Sequence, residues 1–225
     1  MHSVLPSLNF YSKAMKLDFL IIGAQKGGST WLYDNLRQHP SVFAPTYELH
    51  FFSSQENYDK GTDWYHGHFS GATGEKILAE KTPEYLTAIS TMNPKTSTET
   101  PDRIYKYNKN IKLIVVLREP IARLRSAVNH MYRTGRIPHY VTVKDLLLGS
   151  YRQHAQEFSL LENGLYYENL KFYLRIFPRE QVKIFFFETH VMKQPMQTLE
   201  YVCQYLGVPF EAFWFPMAAK KKNEY

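Results

Sequence analysis

The sequence predicts an α/β fold in which a P-loop-like central parallel β-sheet is flanked by helices on both faces. Three observations support this prediction. Four short segments have the composition of buried strands, at residues 19–22, 77–81, 112–117 and 182–187. Segments with the apolar spacing of helices alternate with them along the chain. A glycine-rich turn joins the first predicted strand to the first predicted helix.

That turn has the layout of a phosphate-binding loop. A strand, a glycine loop and a helix N-terminus together present backbone N–H groups to an anion. Gly23 and Gly28 have the spacing of the two glycines in the Walker A pattern G-x-x-x-x-G-K-[ST]. The residue after Gly28 is Ser29, however, and the loop lysine comes earlier, at Lys26. The loop therefore differs from that pattern in the position of its lysine.

Helices are predicted from apolar periodicity and from their end signals. The first covers residues 30–38. A second helical stretch ends near Thr91, a polar connection follows up to Pro101, and another helix begins at Arg103. Later helices are predicted within 136–160, at 163–177 and at 197–206, the last of which ends at Gly207.

The helix that follows the 112–117 strand is predicted between Pro120 and Gly135. Its buried face consists of apolar residues at helical spacing, namely Leu124, Ala127, Val128 and Met131. The arginines of this helix are predicted to lie off that face; they are Arg123, Arg125 and Arg133.

Length and composition are those of an ordinary globular domain. The chain has 225 residues, 44% hydrophobic and 21% charged, which fits a lead-in at 1–16 and a single domain at 17–225. The net charge of +6 favours anionic ligands. Because Cys203 is the only cysteine, no internal disulfide is possible, and a reducing compartment is expected. With neither a signal-like N-terminus nor a long apolar run, we predict a cytoplasmic protein without a membrane span.

The strand ends predict the kind of anion that the loop binds. Loops that hydrolyse ATP or GTP need a lysine after the second glycine and a carboxylate at a strand end to hold Mg²⁺. Here the 112–117 strand runs into Arg118, which can bind an anion but not a metal. The sequence therefore predicts a phosphate-bearing ligand handled without a metal, with one phosphate site at 26–30 and another near Arg118.

Several segments resemble sulfotransferases that use 3′-phosphoadenosine 5′-phosphosulfate (PAPS), in the style of the heparan-sulfate-type and bacterial branch. The loop I-G-A-Q-K-G-G-S-T-W-L resembles their 5′-phosphosulfate loop, and R-E-P-x-x-R-x-x-S from Arg118 to Ser126 resembles their 3′-phosphate motif. Glu48-Leu49-His50-Phe51-Phe52 and Glu80-Lys81-Thr82-Pro83-x-Tyr85 are similar to two further motifs of that branch. The resemblance covers roughly residues 17–210, in the order of the family.

The resemblance implies a donor site. Lys26 would lie at the oxygen that bridges phosphate and sulfate, where negative charge grows during transfer. The 5′-phosphate would be bound by the loop residues Gly27, Gly28, Ser29, Thr30 and Trp31. Arg118 and Ser126 would bind the 3′-phosphate of PAPS and of its product, adenosine 3′,5′-bisphosphate (PAP). Lys220, Lys221 and Lys222 are either a loop that closes over the 3′-phosphate or a basic tail, and the domain is either complete at 225 or continues in a longer chain.

The resemblance also implies how an acceptor reacts. Glu48 would be the general base that removes a proton from a hydroxyl or an amine, with Lys81 neutralising charge at the reacting centre. His50 would orient Glu48 or the acceptor, or would itself be the base. Residues 53–75 are predicted to form a loop or short helix at the acceptor pocket. The acceptor would be a small molecule or a saccharide; Tyr47 stands where heparan-sulfate-type enzymes usually carry lysine, which argues against an anionic polysaccharide.

Two other functions fit parts of the sequence. A P-loop kinase of a nucleotide or small metabolite would use the glycine loop, but the displaced lysine and Arg118 argue against it. A basic module that binds polyanions would use the positive charge, but that charge is scattered and no nucleic-acid-binding motif is present. The sequence therefore favours a PAPS-dependent sulfotransferase that binds no nucleic acid.

Overall fold

The computed structural model describes residues 16–73, 77–88, 94–216 and 218. Its strands are β1 Phe19–Gly23, β2 Val42–Phe43, β3 Ile77–Lys81, β4 Lys112–Leu117 and β5 Val182–Phe186. Its helices are α1 Ser29–Leu36, α2 Gln55–Asp59, α3 Gly61–Gly67, α4 Pro94–Tyr107, α5 Pro120–Arg133, α6 Val143–Leu148, α7 Arg152–Glu157, α8 Tyr166–Ile176 and α9 Pro195–Leu206. A 3₁₀ turn at Pro83–Leu86 follows β3.

The five strands form one parallel sheet in the order β2-β3-β1-β4-β5. In the centre, Ile21 of β1 lies beside Lys81 of β3 on one side and Ile114 of β4 on the other. The predicted α/β fold is therefore confirmed. Because β1 has neighbours that come later in the chain on both sides, the loop after it lies at the switch point where open α/β sheets bind ligands.

Alternate residues of the strands pack into two hydrophobic cores, one on each face of the sheet. Leu20 and Ile22 face the core that includes α4 and α8, whereas Phe19 and Ile21 face the core that includes α1 and α9. Cys203 of α9 lies fully buried in the second core. Burial on both faces explains why the strands are almost wholly apolar.

A third hydrophobic cluster joins α5, α6 and the segment after α7. Ala127, Val128 and Met131 of α5 pack with Leu146 and Leu160. The predicted apolar face of this helix is thus confirmed, and its partners are the later helices at 143–157.

Arg123 differs from the prediction, because its side chain is buried in the structure, with 1% exposure. Its Nη2 donates a hydrogen bond to the carbonyl of Leu160. The segment around 159–164 covers this side of α5, and the spacing of residues within the helix carries no information on that distant segment.

The prediction of a non-helical connection up to Pro101 is also wrong, since α4 begins at Pro94 and contains Pro101. The side chains of Thr100 and Arg103 are buried there and donate to the carbonyl of Phe52. Tertiary contacts therefore outweigh the one backbone hydrogen bond that a proline removes. The helical stretch predicted to end near Thr91 is the short 3₁₀ turn at Pro83–Leu86, and residues 89–93 lie outside the described residues.

Among the described residues, no helix has both the length and the apolar character needed to cross a membrane.

Candidate active site

An open cavity of about 730 Å³ lies at the carboxyl ends of the central strands. The predicted site residues that line it are Lys26, Gly28, Ser29, Thr30, Glu48, His50, Arg118 and Ser126. These residues come from the loop after β1, the segment after β2, the end of β4 and helix α5. The structure therefore brings these eight predicted residues into one cavity, whereas the predicted residues Gly27, Trp31 and Lys81 do not line it.

The glycines of the loop are required by close approach of other groups. A Cβ atom on Gly27 would lie 2.3 Å from the carbonyl oxygen of Val116, and one on Gly28 would lie 2.4 Å from the ring of Phe187. Gly28 also has a φ of 100°, and Lys26 has a φ of 60°, in the left-handed region. This tightly packed loop leads directly into the N-terminus of α1, the arrangement that presents N–H groups to a phosphate.

Trp31 does not join the cavity. Its side chain is 8% exposed and packs in the core shared by α1 and α9, and its backbone N–H donates to the carbonyl of Gly28. The position after the loop is thus a core position, whose apolar side chain fixes α1 against the sheet. The predicted contribution of Lys220, Lys221 and Lys222 falls outside the described residues.

Glu48 and Lys81 form an ion pair, with Lys81 Nζ 2.6 Å from Glu48 Oε1. Lys81 Nζ also donates to Thr30 Oγ1 at 3.2 Å. The lysine side chain is only 11% exposed, so it connects the end of β3 to the glycine loop beneath the cavity. This contact places the carboxylate of Glu48 beside the loop.

Glu80, the residue before Lys81, is a buried hydrogen-bond centre. Its carboxylate accepts from the hydroxyls of Tyr65 at 2.5 Å, Thr82 at 2.6 Å and Tyr85 at 2.8 Å. It also accepts from the backbone N–H of Leu49 at 3.3 Å. Burial raises the pKa of Glu80, although the three hydroxyl hydrogen bonds act in the opposite direction. Glu80 thereby ties the segment that carries Glu48 to the end of β3.

Arg118 has the surroundings of a residue that binds an anion. Its guanidinium lies 4.8 Å from the ring centroid of Phe187, and its buried Nε has no hydrogen-bond partner among the described residues. The backbone carbonyl of Arg118 accepts a hydrogen bond of 2.7 Å from the hydroxyl of Tyr166. Ser126, about two helical turns into α5, lines the same cavity. A phosphate between these two residues would supply the partner that Nε lacks.

A basic wall, defined as His130, Arg133 and Arg136, also lines the cavity and was not predicted. Ser126, His130 and Arg133 recur at i, i+4 and i+7, so they share one face of α5. That spacing was the available signal for the wall. Neither Arg133 nor Arg136 forms an ion pair with the residues that the structure describes.

The wall affects the charge of the loop lysine. Burial lowers the pKa of Lys26, and the positive charge of Arg133 lowers it further. Burial likewise lowers the pKa of His130, with Lys26, Arg136 and Arg133 adding to the effect. Mutual repulsion of this kind is relieved by an anion, so the arrangement favours a ligand with several negative charges.

Residues 53–73, the described part of the predicted 53–75 segment, include rings that pack in the core. The α3 residue Tyr65 is fully buried and stacks on Phe51 with 4.2 Å between ring centroids, while Trp64 packs against the same core. Of the described residues of this segment, 53–73, only Ser53 lines the cavity. The rings of Trp64 and Tyr65 therefore anchor the segment to the core, and its position at the border of an acceptor pocket stays a prediction.

Comparison with known proteins identifies the chain's relatives. Residues 16–221 match the model of a family described as "Sulfotransferase domain". Heparan sulfate glucosamine 3-O-sulfotransferase 5 of Mus musculus is 30% identical over 193 residues, covering 84% of this chain and 53% of the relative. Heparan sulfate glucosamine 3-O-sulfotransferase 3B1 of Homo sapiens is 32% identical over 191 residues, covering 84% and 45%. This chain thus spans about half the length of these curated relatives.

Solved structures show the same architecture. A sulfotransferase from Alicyclobacillus acidocaldarius superposes with a TM-score of 0.73 at 27% identity, covering 92% of this chain and 87% of the other. Mouse sulfotransferase SULT7A1, solved in complex with PAP, has a TM-score of 0.54 at 15% identity and covers 92% and 63%. The second likeness concerns the fold alone.

Proposed function

This chain belongs to the sulfotransferase domain family, and on that premise we propose that it transfers a sulfuryl group from PAPS to a hydroxyl of a saccharide acceptor. One observation carries the proposal. Lys26, Glu48 and Arg118 come from distant parts of the chain and line a single cavity, with Lys81 paired to Glu48 beneath it.

The donor fits the glycine loop and the residues that line the cavity. Gly27 to Thr30 would hold the 5′-phosphate at the start of α1, and Arg118 with Ser126 would hold the 3′-phosphate. The orphaned Nε of Arg118 and the glycines that approach neighbouring groups closely support this assignment. When bound, PAPS supplies an activated sulfuryl group whose leaving group is a phosphate.

The protein's side chains would then act on the proton and on the developing charge. Glu48 takes the proton of the acceptor hydroxyl while the hydroxyl oxygen forms a bond to sulfur. Lys26 would stabilise the negative charge that builds on the leaving phosphate oxygen as sulfur passes from it to the acceptor oxygen. Lys81 holds Glu48 in place through the contact of 2.6 Å.

A saccharide with a negatively charged group is the acceptor class that the cavity supports best. The two curated relatives described above are named for heparan sulfate, and the basic wall supplies cations beside the reacting groups. Tyr47, at the position where heparan-sulfate-type enzymes usually carry lysine, shares a hydrogen bond of 2.8 Å with His68. Arg133 and Arg136 would replace the missing lysine in recognising the acceptor. A cytoplasmic location stays a prediction from the sequence.

Thermal unfolding with nucleotides tests the donor assignment. At equal concentrations, a ligand that binds only the native state raises the melting temperature more when its Kd is lower. We expect PAP to stabilise the protein strongly and adenosine 5′-phosphate, which lacks the 3′-phosphate, to stabilise it less. Stabilisation by ATP with Mg²⁺ but not by PAP would overturn the proposal in favour of a kinase. Binding of random DNA as tight as that of PAP, and weakened by salt, would favour the polyanion-binding module.

The substitution Arg118→Ala is expected to weaken PAP binding by about 1.5–3 kcal/mol, because it removes charged hydrogen bonds to a phosphate. Titration calorimetry measures this loss directly. Arg125→Ala is the matched control, since Arg125 is an exposed arginine on α5, the helix that follows Arg118. An equal loss in both variants would show that only general charge matters, and no loss in Arg118→Ala would remove Arg118 from the donor site.

The affinity for PAP is expected to fall at alkaline pH, as Lys26 loses its proton. Because the folded pKa of Lys26 is lowered, the ammonium is present below that pKa and is lost as the pH rises through it. Arg133→Gln removes one cause of the lowering and should move the fall to higher pH. Calorimetry with PAP across the alkaline range checks this, with Arg125→Gln as the control that should leave the fall in place.

A further inference from the structure

His50 bridges two carboxylates at the edge of the cavity. Its Nδ1 lies 2.8 Å from Glu84 Oε2, and its Nε2 lies 3.6 Å from Glu48 Oε2. Glu84 belongs to the 3₁₀ turn after β3 and was not among the predicted site residues. Because a carboxylate only accepts hydrogen bonds, the short contact with Glu84 places a proton on Nδ1.

The backbone at His50 is strained. Its φ is 51°, which is uncommon for a residue with a side chain. Hydrogen bonds of neighbouring residues fix this conformation: the His50 N–H donates to Thr82 Oγ1 at 3.4 Å, and Leu49 donates to the buried Glu80. Strain that the surrounding structure maintains is found preferentially at functional sites, and here it directs the ring towards both carboxylates.

We propose that Glu84 is a positioning residue that holds His50 by Nδ1, so that Nε2 of the ring faces and orients Glu48. This inference rests on the proposed role of Glu48 in sulfuryl transfer. Glu48 would then be held on both sides, through Oε1 by Lys81 at 2.6 Å and through Oε2 by His50. The carboxylate keeps one orientation towards the acceptor, which proton transfer requires.

Protonation of His50 controls the contact between its Nε2 and Glu48. The charged groups that face the ring are Glu84, Glu48 and, from the buried side, Glu80, with Lys81 on the far side of Glu48. The hydrogen bond that His50 donates to Glu84 raises the pKa of His50 most; burial acts in the opposite direction, and the charges of these carboxylates raise it further. Below that pKa, Nε2 carries a proton that it can donate to Glu48. Above it, a lone pair faces the carboxylate, so the contact becomes repulsive.

The sign of the pH effect follows from the raised pKa. The imidazolium is present below the folded pKa of His50 and is lost as the pH rises through it. Glu84→Gln keeps the shape of the side chain but removes its negative charge, so His50 should lose its proton at lower pH. The rate of transfer should therefore begin to fall at lower pH in this variant than in the wild type.

Two measurements test the proposal. The first is an NMR titration of the histidine Cε1–H signals, in which the His50 signal is assigned by its absence in His50→Gln. We expect a lower midpoint in Glu84→Gln, recovery towards the wild type in Glu84→Asp, and no change in Glu56→Gln. Glu56 is a suitable control because it is an exposed carboxylate of α2 and is paired with Lys60 rather than with His50. An unchanged midpoint in Glu84→Gln would overturn the proposal.

The second measurement is the pH profile of kcat/KM for sulfuryl transfer. At neutral pH we expect Glu84→Gln to lower kcat/KM by about twofold to fivefold, since the pair is half-exposed. The alkaline fall should move to lower pH while the affinity for PAP stays unchanged. A titration midpoint that moves without any change in the profile would overturn the positioning role but not the proposed function. Absence of transfer in the wild type would overturn the proposed function, and the NMR titration would still decide whether Glu84 holds His50.

Discussion

Glu48→Gln is expected to lower kcat for sulfuryl transfer by about 10²–10⁴-fold, the usual contribution of a positioned general base. The amide has the shape of the carboxylate and still accepts a hydrogen bond from Lys81, but it cannot take the proton of the acceptor. The affinity for PAP should change little, because the residues assigned to PAP are Lys26 to Thr30, Arg118 and Ser126. Steady-state kinetics with labelled donor and calorimetry with PAP measure the two effects separately.

Glu200→Gln, on the exposed side of α9, is the control for removal of a single carboxylate. His50→Gln decides between the two candidate bases, since the variant with the larger loss of kcat identifies the base. Full turnover in Glu48→Gln would remove Glu48 from that role. An equal loss of PAP affinity and of kcat would instead indicate that Glu48 shapes the donor site.

Glu80→Ala is expected to lower the free energy of unfolding by about 3–5 kcal/mol, because it leaves several buried donors without an acceptor. The hydroxyls of Tyr65, Thr82 and Tyr85 and the N–H of Leu49 all donate to this carboxylate, which has no exposed surface. Chemical denaturation measures the change. Activity should fall as well, since the same hydrogen bonds hold the segment that carries Glu48.

Glu80→Gln is the conservative variant, with one oxygen that still accepts, and it should lose less stability than Glu80→Ala. Glu56→Ala serves as the exposed control and should lie within about 0.5 kcal/mol of the wild type. A loss of less than about 1 kcal/mol in Glu80→Ala would show that water or rearranged side chains satisfy the buried donors.

Much of the donor site could be predicted because its parts are local. Gly23 to Thr30 is one continuous strand–loop–helix segment, and its spacing alone indicates phosphate binding. Arg118 and Ser126 lie on one strand end and the helix that follows it, so helical periodicity brings them to the same side. Trp31 shows the limit of this reasoning, because the next position of the same helix is buried in the core.

Contacts between segments far apart in the chain could not be predicted in this way. Periodicity left Arg123 off the buried face, yet the 159–164 segment covers it, and Pro101 lies inside a helix that tertiary contacts stabilise. The basic wall could have been found from the spacing of Ser126, His130 and Arg133, but its place in the cavity depends on how α5 packs.

The sequence by itself determined the alternating strands and helices, the glycine loop with its displaced lysine, and the cation at the end of β4. Apolar periodicity and backbone sterics act between near neighbours, so the order of residues reveals them. Only the tertiary structure decided that Glu84 reaches His50, that Glu80 collects four donors, and that Lys81 connects Glu48 to the loop. These contacts depend on the register of parallel strands and on the packing of separate segments, which no local pattern encodes.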